Sequence, residues 1–304
     1  MGLFDLFKGP TPEELARRAA SERRQADILA SLHGDGVSRG TRQRLDEART
    51  GKMPWIATLT PAELLITRSH GIRPIATVSA TCWMHYGFSW TLGHSQGWQK
   101  ALHRLKEEAR AAGANAVLDV KMRTVPLDVE SSMDFTLVGT AVKIDGLTAS
   151  ADPIVATVPA LEFVKLLQAD VVPTGIAIGA HYEWMTDWRN RTVVWGNREM
   201  KPLTNLWELV RQRAHAGLRE SAKPQGNGVL AHIDFSEMFE VERDDQPKQY
   251  LARHIVIATT VDATRATLAH PITMAVDMHA GGTPLTGTTR HHQSYASNDR
   301  DEAI

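Results

Sequence analysis

One helix-to-strand unit occurs twice in this chain, and this repetition constrains the fold more than any other feature. In residues 95–124 (SQGWQKALHRLKEEARAAGANAVLDVKMRT), apolar residues recur every three or four positions, Gly113 ends the helical pattern and a strand pattern follows. A fainter version lies at residues 206–235 (LWELVRQRAHAGLRESAKPQGNGVLAHIDF). The sequence therefore predicts a duplicated module.

The elements around this unit also recur in the same order. A helix start at Thr60 and a strand at residues 71–84 (GIRPIATVSATCWM) are predicted ahead of the first unit, and a further strand is predicted after it. The second half repeats this order, with these corresponding residues: Pro61 and Pro159, Ala80 and Ala180, Trp83 and Trp184, Asn115 and Asn227. A repeat at a spacing of roughly 100 residues predicts two tandem domains rather than a solenoid of short repeats.

The predicted fold class is α+β, with two tandem β-α-β-β two-layer domains that are each preceded by a short helix. A helical arm comes first, because Thr11, Pro12 and Glu14 form a capping signal ahead of a helix that is charged nearly all round. A polar tail rich in Gly, Thr, Ser and Asn comes last and is expected to be largely disordered. The predicted boundaries are 1–55 for the arm, 56–146 for the first domain, 147–158 for a linker, 159–268 for the second domain and 269–304 for the tail.

Composition excludes several classes of protein. The net charge is −1, whereas nucleic-acid and anionic-membrane binders carry a strong positive charge. Cys82 is the one cysteine, which excludes a disulfide framework and favours a reducing compartment. No apolar run approaches the roughly 20 residues of a spanning helix, and residues 1–9 (MGLFDLFKG) lack the pattern of a secretory signal. We therefore expect a cytoplasmic protein with no membrane span and no nucleic-acid partner.

The first unit and the strand after it resemble the YbjQ family, a small bacterial domain described as heavy-metal-binding. The matching elements are the long helix, the GANAV junction at residues 113–117 and the closing GTAVKI strand at residues 139–144, and the resemblance covers about residues 63–145. In the second copy PQGNGVL replaces AAGANAV, so that copy resembles the family only in its order of elements. The resemblance implies a dodecin-like fold that assembles into a pentameric ring.

A closed ring is also favoured on physical grounds. A three-stranded sheet with one covering helix has a small core and open edges, and edge-to-edge assembly into a closed ring removes those edges. Two tandem domains in each chain are compatible with a stacked double ring and with a pseudo-decameric single ring. The arm and the tail are candidate contacts for a protein partner.

Three residues near the end of the predicted first strand are candidate metal ligands. Cys82, His85 and His94 offer one soft thiolate and two imidazoles, a set that suits zinc or copper. Their spacing matches no tight motif, so the alternative is a small buried cysteine beside two loop histidines. A metal-binding or sequestering protein is therefore the second functional hypothesis.

Catalysis has no support in the sequence, while the tryptophans suggest contacts. The nucleophile elbow, the phosphate-binding loop, the HExxH zinc motif and the dinucleotide fingerprint are all missing from the 304 residues, and we expect no enzyme.

Trp90, Trp188 and Trp195 are predicted in loops, where an indole lines a pocket or a subunit interface. The leading hypothesis is a non-enzymatic, homo-oligomeric, ring-forming assembly protein, and the third is a small-ligand carrier with Trp-lined pockets between subunits.

Overall fold

The computed structural model of the chain describes residues 11–33, 36–54, 56–85, 87, 89–127, 132–147, 150–186, 199–241 and 247–263. The predicted tail, the first ten residues, Trp188 and Trp195 lie outside these ranges. The elements are α1 Pro12–His33, α2 Arg39–Arg49, α3 Pro61–Ser69, β1 Ile72–His85, α4 Trp90–Ala111, β2 Ala116–Leu127, β3 Ser132–Ile144, β4 Ile154–Val155, α5 Ala160–Gln168, β5 Val171–Thr186, α6 Lys201–Ala222, β6 Gly228–Val241 and β7 Gln249–Ala263.

The two sheets have the same topology. In the first copy (α3, β1, α4, β2 and β3), β3 lies between β1 and β2 and is antiparallel to both, so α4 connects two parallel strands. In the second copy (β4, α5, β5, α6, β6 and β7), β7 lies between β5 and β6 in the same way. Both first strands also carry a bulge just after a proline, Pro74 or Pro173. The α+β fold class is therefore confirmed.

Individual hydrogen bonds repeat as well. The Asn115 side chain joins the start of β2 to the end of β3, donating to the Ile144 carbonyl at 2.9 Å and accepting from its N–H at 2.8 Å. Asn227 makes the same pair with Ala263 in the second copy, at 2.8 and 3.0 Å. The two asparagines that correspond in the sequence therefore make the same contact.

The residue correspondence along the first strand of each copy differs from the sequence alignment. Through their partners on the central strand, Ala80 corresponds to Gly179 and Trp83 to Tyr182, rather than to Ala180 and Trp184. The difference matters for Ala80, because a slip of one residue along a strand moves a side chain to the opposite face of the sheet.

Helix α4 starts earlier than the sequence indicated. The Ser89 hydroxyl caps it by accepting from the Leu92 N–H at 3.2 Å, so Gly93 and His94 lie inside the helix rather than in a loop. Gly97 packs this part of the helix against β3, because a Cβ there would lie 2.2 Å from the Phe135 ring. The helix ends as predicted, with Gly113 at a φ of 76° directly after the C-cap.

The predicted linker contains a strand. β4 pairs in parallel with the outer edge of β2, Ala116 with Ile154 and Val117 with Val155. Further along the same segment, the Val158 carbonyl accepts from the Asp119 N–H at 3.2 Å. The segment 154–158 therefore covers backbone groups that an edge strand would leave unpaired.

The second sheet lies between two helices. Its face with Ala177 and Val256 packs on α6, and its other face, with Ile176 and Ile257, joins the core formed around α4. Helix α4 is thus shared, since it covers the first sheet on one side and the second sheet on the other. The corresponding outer face of the first sheet is covered by α3 and α5 at the end with Val142 and Ile144, while Trp83 at its other end is 72% exposed.

The predicted arm is attached to the first copy through its second helix. Helix α1 is exposed along nearly its whole length, whereas Leu45 of α2 is buried in the core around α4. Arg44 donates to the Thr77 carbonyl at 3.0 Å and pairs with Glu108 of α4. Helix α2 therefore forms part of the surface of the first copy.

A matched pair of glycines tests the contact between α6 and β5. Alanine at Gly179 would place its Cβ 2.0 Å from the Ala214 carbonyl oxygen, whereas alanine at Gly217 would meet only the Gly179 Cα at 3.9 Å. We expect Gly179→Ala to lower the free energy of unfolding by about 1–3 kcal/mol or more, because the backbone of α6 must move. Gly217→Ala should raise it by up to about 1 kcal/mol, because alanine favours a helix interior. Urea unfolding measures both values, and equal effects would contradict the packing.

Candidate functional site

The structure places the three candidate metal ligands in different environments. Cys82 is buried in β1 on the face that α4 covers, and this burial raises the pKa of its thiol against the opposing charges of Arg104 and Lys100. His85 is exposed at the last residue of β1, and His94 lies in the first turns of α4. Within the described ranges, no group of three or more His, Cys, Asp or Glu side chains has an arrangement that could hold a metal ion.

His94 lies at the junction between the two copies. Its ring is fully buried, 5.1 Å from Phe135 and 5.8 Å from Trp98 of the first copy, and 5.5 Å from Tyr182 of the second. Burial, together with the positive charge of Arg253, lowers its pKa from 6.5 to about 3. The imidazole is therefore neutral in the folded protein at physiological pH.

Several polar atoms around this junction have no hydrogen-bond partner among the described residues. The atoms without a partner there are both ring nitrogens of His94, Nε1 of Trp98 and two guanidinium nitrogens of Arg253. Arg253 uses its remaining nitrogen to pair with Glu237. A neutral imidazole with a free nitrogen is the form of histidine that binds a metal ion.

Trp90 belongs to the same junction. It is the first residue of α4, is half-buried, and its ring lies 6.0 Å from that of Tyr182. The neighbouring Thr91 hydroxyl accepts from the Tyr182 N–H at 3.1 Å. Trp90 therefore contacts the second copy of its own chain from a helix, where the sequence predicted a loop.

Glu63 joins the helices of the two copies. One carboxylate oxygen accepts from the Thr60 N–H and hydroxyl, both at 2.7 Å, and the other accepts from the Ala160 N–H at 3.0 Å. Pro159, at the N-cap of α5, offers no side-chain cap of its own, and Glu63 supplies one. Burial alone raises the pKa of Glu63, but these hydrogen bonds outweigh it and lower the pKa below its ordinary value.

Asp119 lies beside Glu63 on the bulge of β2. Its φ is 53°, in the left-handed region that asparagine and aspartate tolerate better than most residues. Burial raises the pKa of its carboxyl, and the negative charge of Glu63 adds to this while Lys121 opposes it. The charge of Glu63 thus acts on Asp119 where the segment 154–158 joins β2, so the strand addition and the helix cap lie close together.

A cavity of about 710 Å³ opens between α4, β5 and the end of α6. Its wall combines apolar side chains from both copies with polar ones, including Leu102, Val155, Ile176, Gln99, His103 and Gln225. Trp90 does not belong to the lining of this cavity. The Trp-lined pockets of the ligand-carrier hypothesis lie between subunits, so that hypothesis stays a prediction.

Sequence reasoning found some of these residues but not their contacts. The capping box of Thr60 and Glu63 was evident, and both of its hydrogen bonds form. Nothing in the pattern indicated that Glu63 also reaches Ala160 of the second copy. The one available signal was Pro159, since a helix that begins after a proline needs its N–H groups satisfied from elsewhere.

We expect the buried His94 to make stability depend on pH. Its folded pKa of about 3 lies below its ordinary value of 6.5. Between these values the unfolded chain binds a proton that the folded chain does not, so the stabilisation is complete above pH 6.5 and is lost as the pH falls. The free energy of unfolding should decline by about 1.4 kcal/mol per pH unit through this window because of this residue. Urea unfolding at several pH values measures the slope.

The comparison variant is His94→Phe, since its neighbours are aromatic rings. This variant should flatten the slope, and His85→Phe, at an exposed position, should leave the slope as in the parent protein. Parallel slopes in the parent protein and His94→Phe would contradict the assignment.

Comparison with known proteins identifies one part of the chain. The YbjQ family model, described as "Putative heavy-metal-binding", matches residues 89–145, which contain α4, β2 and β3. No curated protein and no solved structure matches the chain. None of the helices in the described ranges combines the length and the apolar character that a membrane crossing requires. The part of the chain from α4 to β3 is therefore similar to the YbjQ family.

Proposed function

We propose that this protein is a non-enzymatic assembly protein whose YbjQ-type copies join into a closed homo-oligomeric ring. The observation that carries the proposal is the way the second copy completes the first within one chain. Residues 154–158 cover the edge of β2, and α4 covers the second face of the neighbouring sheet. Each copy is thus stabilised by another copy beside it. Within the described ranges, the outer edge of β6 and the face of the first sheet around Trp83 have no such neighbour.

The exposed apolar residues support this proposal. In the first copy, Trp83 is 72% exposed, Leu65 73% and Ile56 71%. The corresponding Tyr182 and Val155 of the second copy are 8% and 1% exposed, because there the neighbouring copy covers them. In a ring, a further copy would cover these three exposed apolar side chains of the first copy.

The remaining features of the proposal come from the family and from the composition. The family resemblance implies a pentameric arrangement, for which a stacked double ring is the alternative with two copies in each chain. The single cysteine favours the cytoplasm. The exposed helix α1 is the candidate contact for a further protein partner.

Light scattering of the purified chain at micromolar concentration tests the proposal. We expect a single species with several times the mass of one chain, because the exposed surfaces described above are then covered. Trp83→Glu should lower the measured mass, whereas Leu15→Glu on the exposed helix α1 should not. A monomer at this concentration overturns the proposal.

Metal binding is the second candidate, favoured by the family description and by the two unpartnered nitrogens of His94. Elemental analysis of untagged protein should then find zinc or copper, and Cys82→Ala and His94→Ala should each remove it. His103→Ala, on the exposed side of α4, should retain it. Protein without a bound transition metal after purification, and after incubation with zinc, would eliminate this candidate.

A further inference from the structure

The β6 edge strand of the second copy has the position in its sheet that β2 has in the first. This inference rests on the proposed function and names the contact between chains. We propose that residues 56–59 of one chain add as a parallel strand to the free edge of β6 in the next chain. Chains would then join head to tail by the same strand addition that joins the two copies within a chain.

The contact within the chain serves as the template. The Ile154 N–H donates to the Asn115 carbonyl at 3.0 Å, and the Ala156 N–H donates to the Val117 carbonyl at 3.0 Å. In the opposite direction, the Val120 N–H donates to the Ala156 carbonyl at 3.1 Å. These are main-chain bonds, so a segment of different sequence can make them if its backbone has the same position.

Residues 56–59 have that position relative to their own sheet. The Thr58 N–H donates to the Thr140 hydroxyl at 2.8 Å, as the Thr157 N–H donates to the Thr259 hydroxyl at 3.0 Å. In both pairs the two hydroxyls also bond to each other, at 2.9 and 2.8 Å. The first copy therefore presents this segment as the second copy presents residues 155–158.

The acceptor edge is open in the part of the chain that the structure describes. Among the described strands, β6 pairs only with β7. Through their partners on the central strand, Val229 and Leu230 correspond to Val117 and Leu118. Val229 is 37% exposed, whereas Val117, covered by β4, is fully buried. Since no strand of the same chain covers this edge in the described ranges, a second chain is the occupant that the repeat provides.

The contact between chains differs from its template in two respects. Pro61 corresponds to Ala160 at the helix start but has no N–H to donate, and α3 already has Thr60 as its cap. The face next to the segment carries Thr77 and Ser79 where the second copy has Ile176 and Ile178. The contact between chains therefore depends mainly on the backbone bonds, and it should dissociate more readily than the copies do.

Cysteine cross-linking tests the register. Because Val117 pairs with Val155, the template places Ile56 opposite Val229, at about the 5 Å strand spacing that a disulfide spans. In a Cys82→Ala background, the chain with both Ile56→Cys and Val229→Cys should form a ladder of covalent multimers on oxidation. A mixture of the two single variants should form covalent dimers only, and neither single variant alone should cross-link, since the contact is head to tail.

A second pair controls for random collision. Glu240 lies on the same edge strand, about 36 Å from Val229, so Ile56→Cys with Glu240→Cys should give no cross-link. If the protein is oligomeric in light scattering but positions 56 and 229 do not cross-link, this inference fails and the proposed function stands. If the protein is a monomer, both fail.

Discussion

Backbone hydrogen bonds join residues 154–158 of the second copy to the edge and bulge of β2 in the first. This contact fixes where the second copy begins, and several other contacts depend on that position. It brings the start of α5 to Glu63, whose carboxylate caps it, and it places the apolar face of the second sheet against α4. Tyr182 then packs on His94 and Trp90. The bulge at Asp119 belongs to the same contact, because its N–H bonds to Val158.

The two copies have the same topology, but the sheet face that points away from its own helix is polar in the first copy and apolar in the second. Thr77, Ser79 and Thr81 of the first sheet face away from its helix, where the second sheet has Ile176, Ile178 and Ala180. Covering an apolar face with a helix gains about 25 cal/mol per Å² of apolar area buried, whereas a threonine and serine face gains little and tolerates water. The second copy is therefore the one that needs a neighbouring helix, and α4 of the same chain provides it.

The sequence predicted the elements better than their contacts. Capping boxes, the stop at Gly113 and the repeated order follow from local rules, and the corresponding hydrogen bonds form. The sequence places the start of α4 too late, because Gly87 and Gly93 are typical of a loop. Gly97, inside the predicted helix, allows the close approach to Phe135. Gly87 and Gly93 also predict a loop at His94, which would bring it close to Cys82 and His85, whereas His94 lies inside α4. Contacts between copies, such as that of Glu63 with Ala160, depend on how whole sheets pack together. The periodicity of apolar residues within one element does not predict that packing.

Two sheets of the same topology in one chain make an unequal pair of joints possible. A single-copy protein that assembles into a ring must use one contact throughout, so that every joint has the same strength. Here the joint within the chain combines backbone pairing, a helix cap from Glu63 and an apolar sheet face, and no encounter between molecules is needed to form it. In the proposed joint between chains, Pro61 removes the cap and the facing sheet is polar, so backbone pairing carries most of the contact. A chain of this kind would fold first as a stable two-copy unit and then assemble reversibly, with first and second copies alternating in a fixed order.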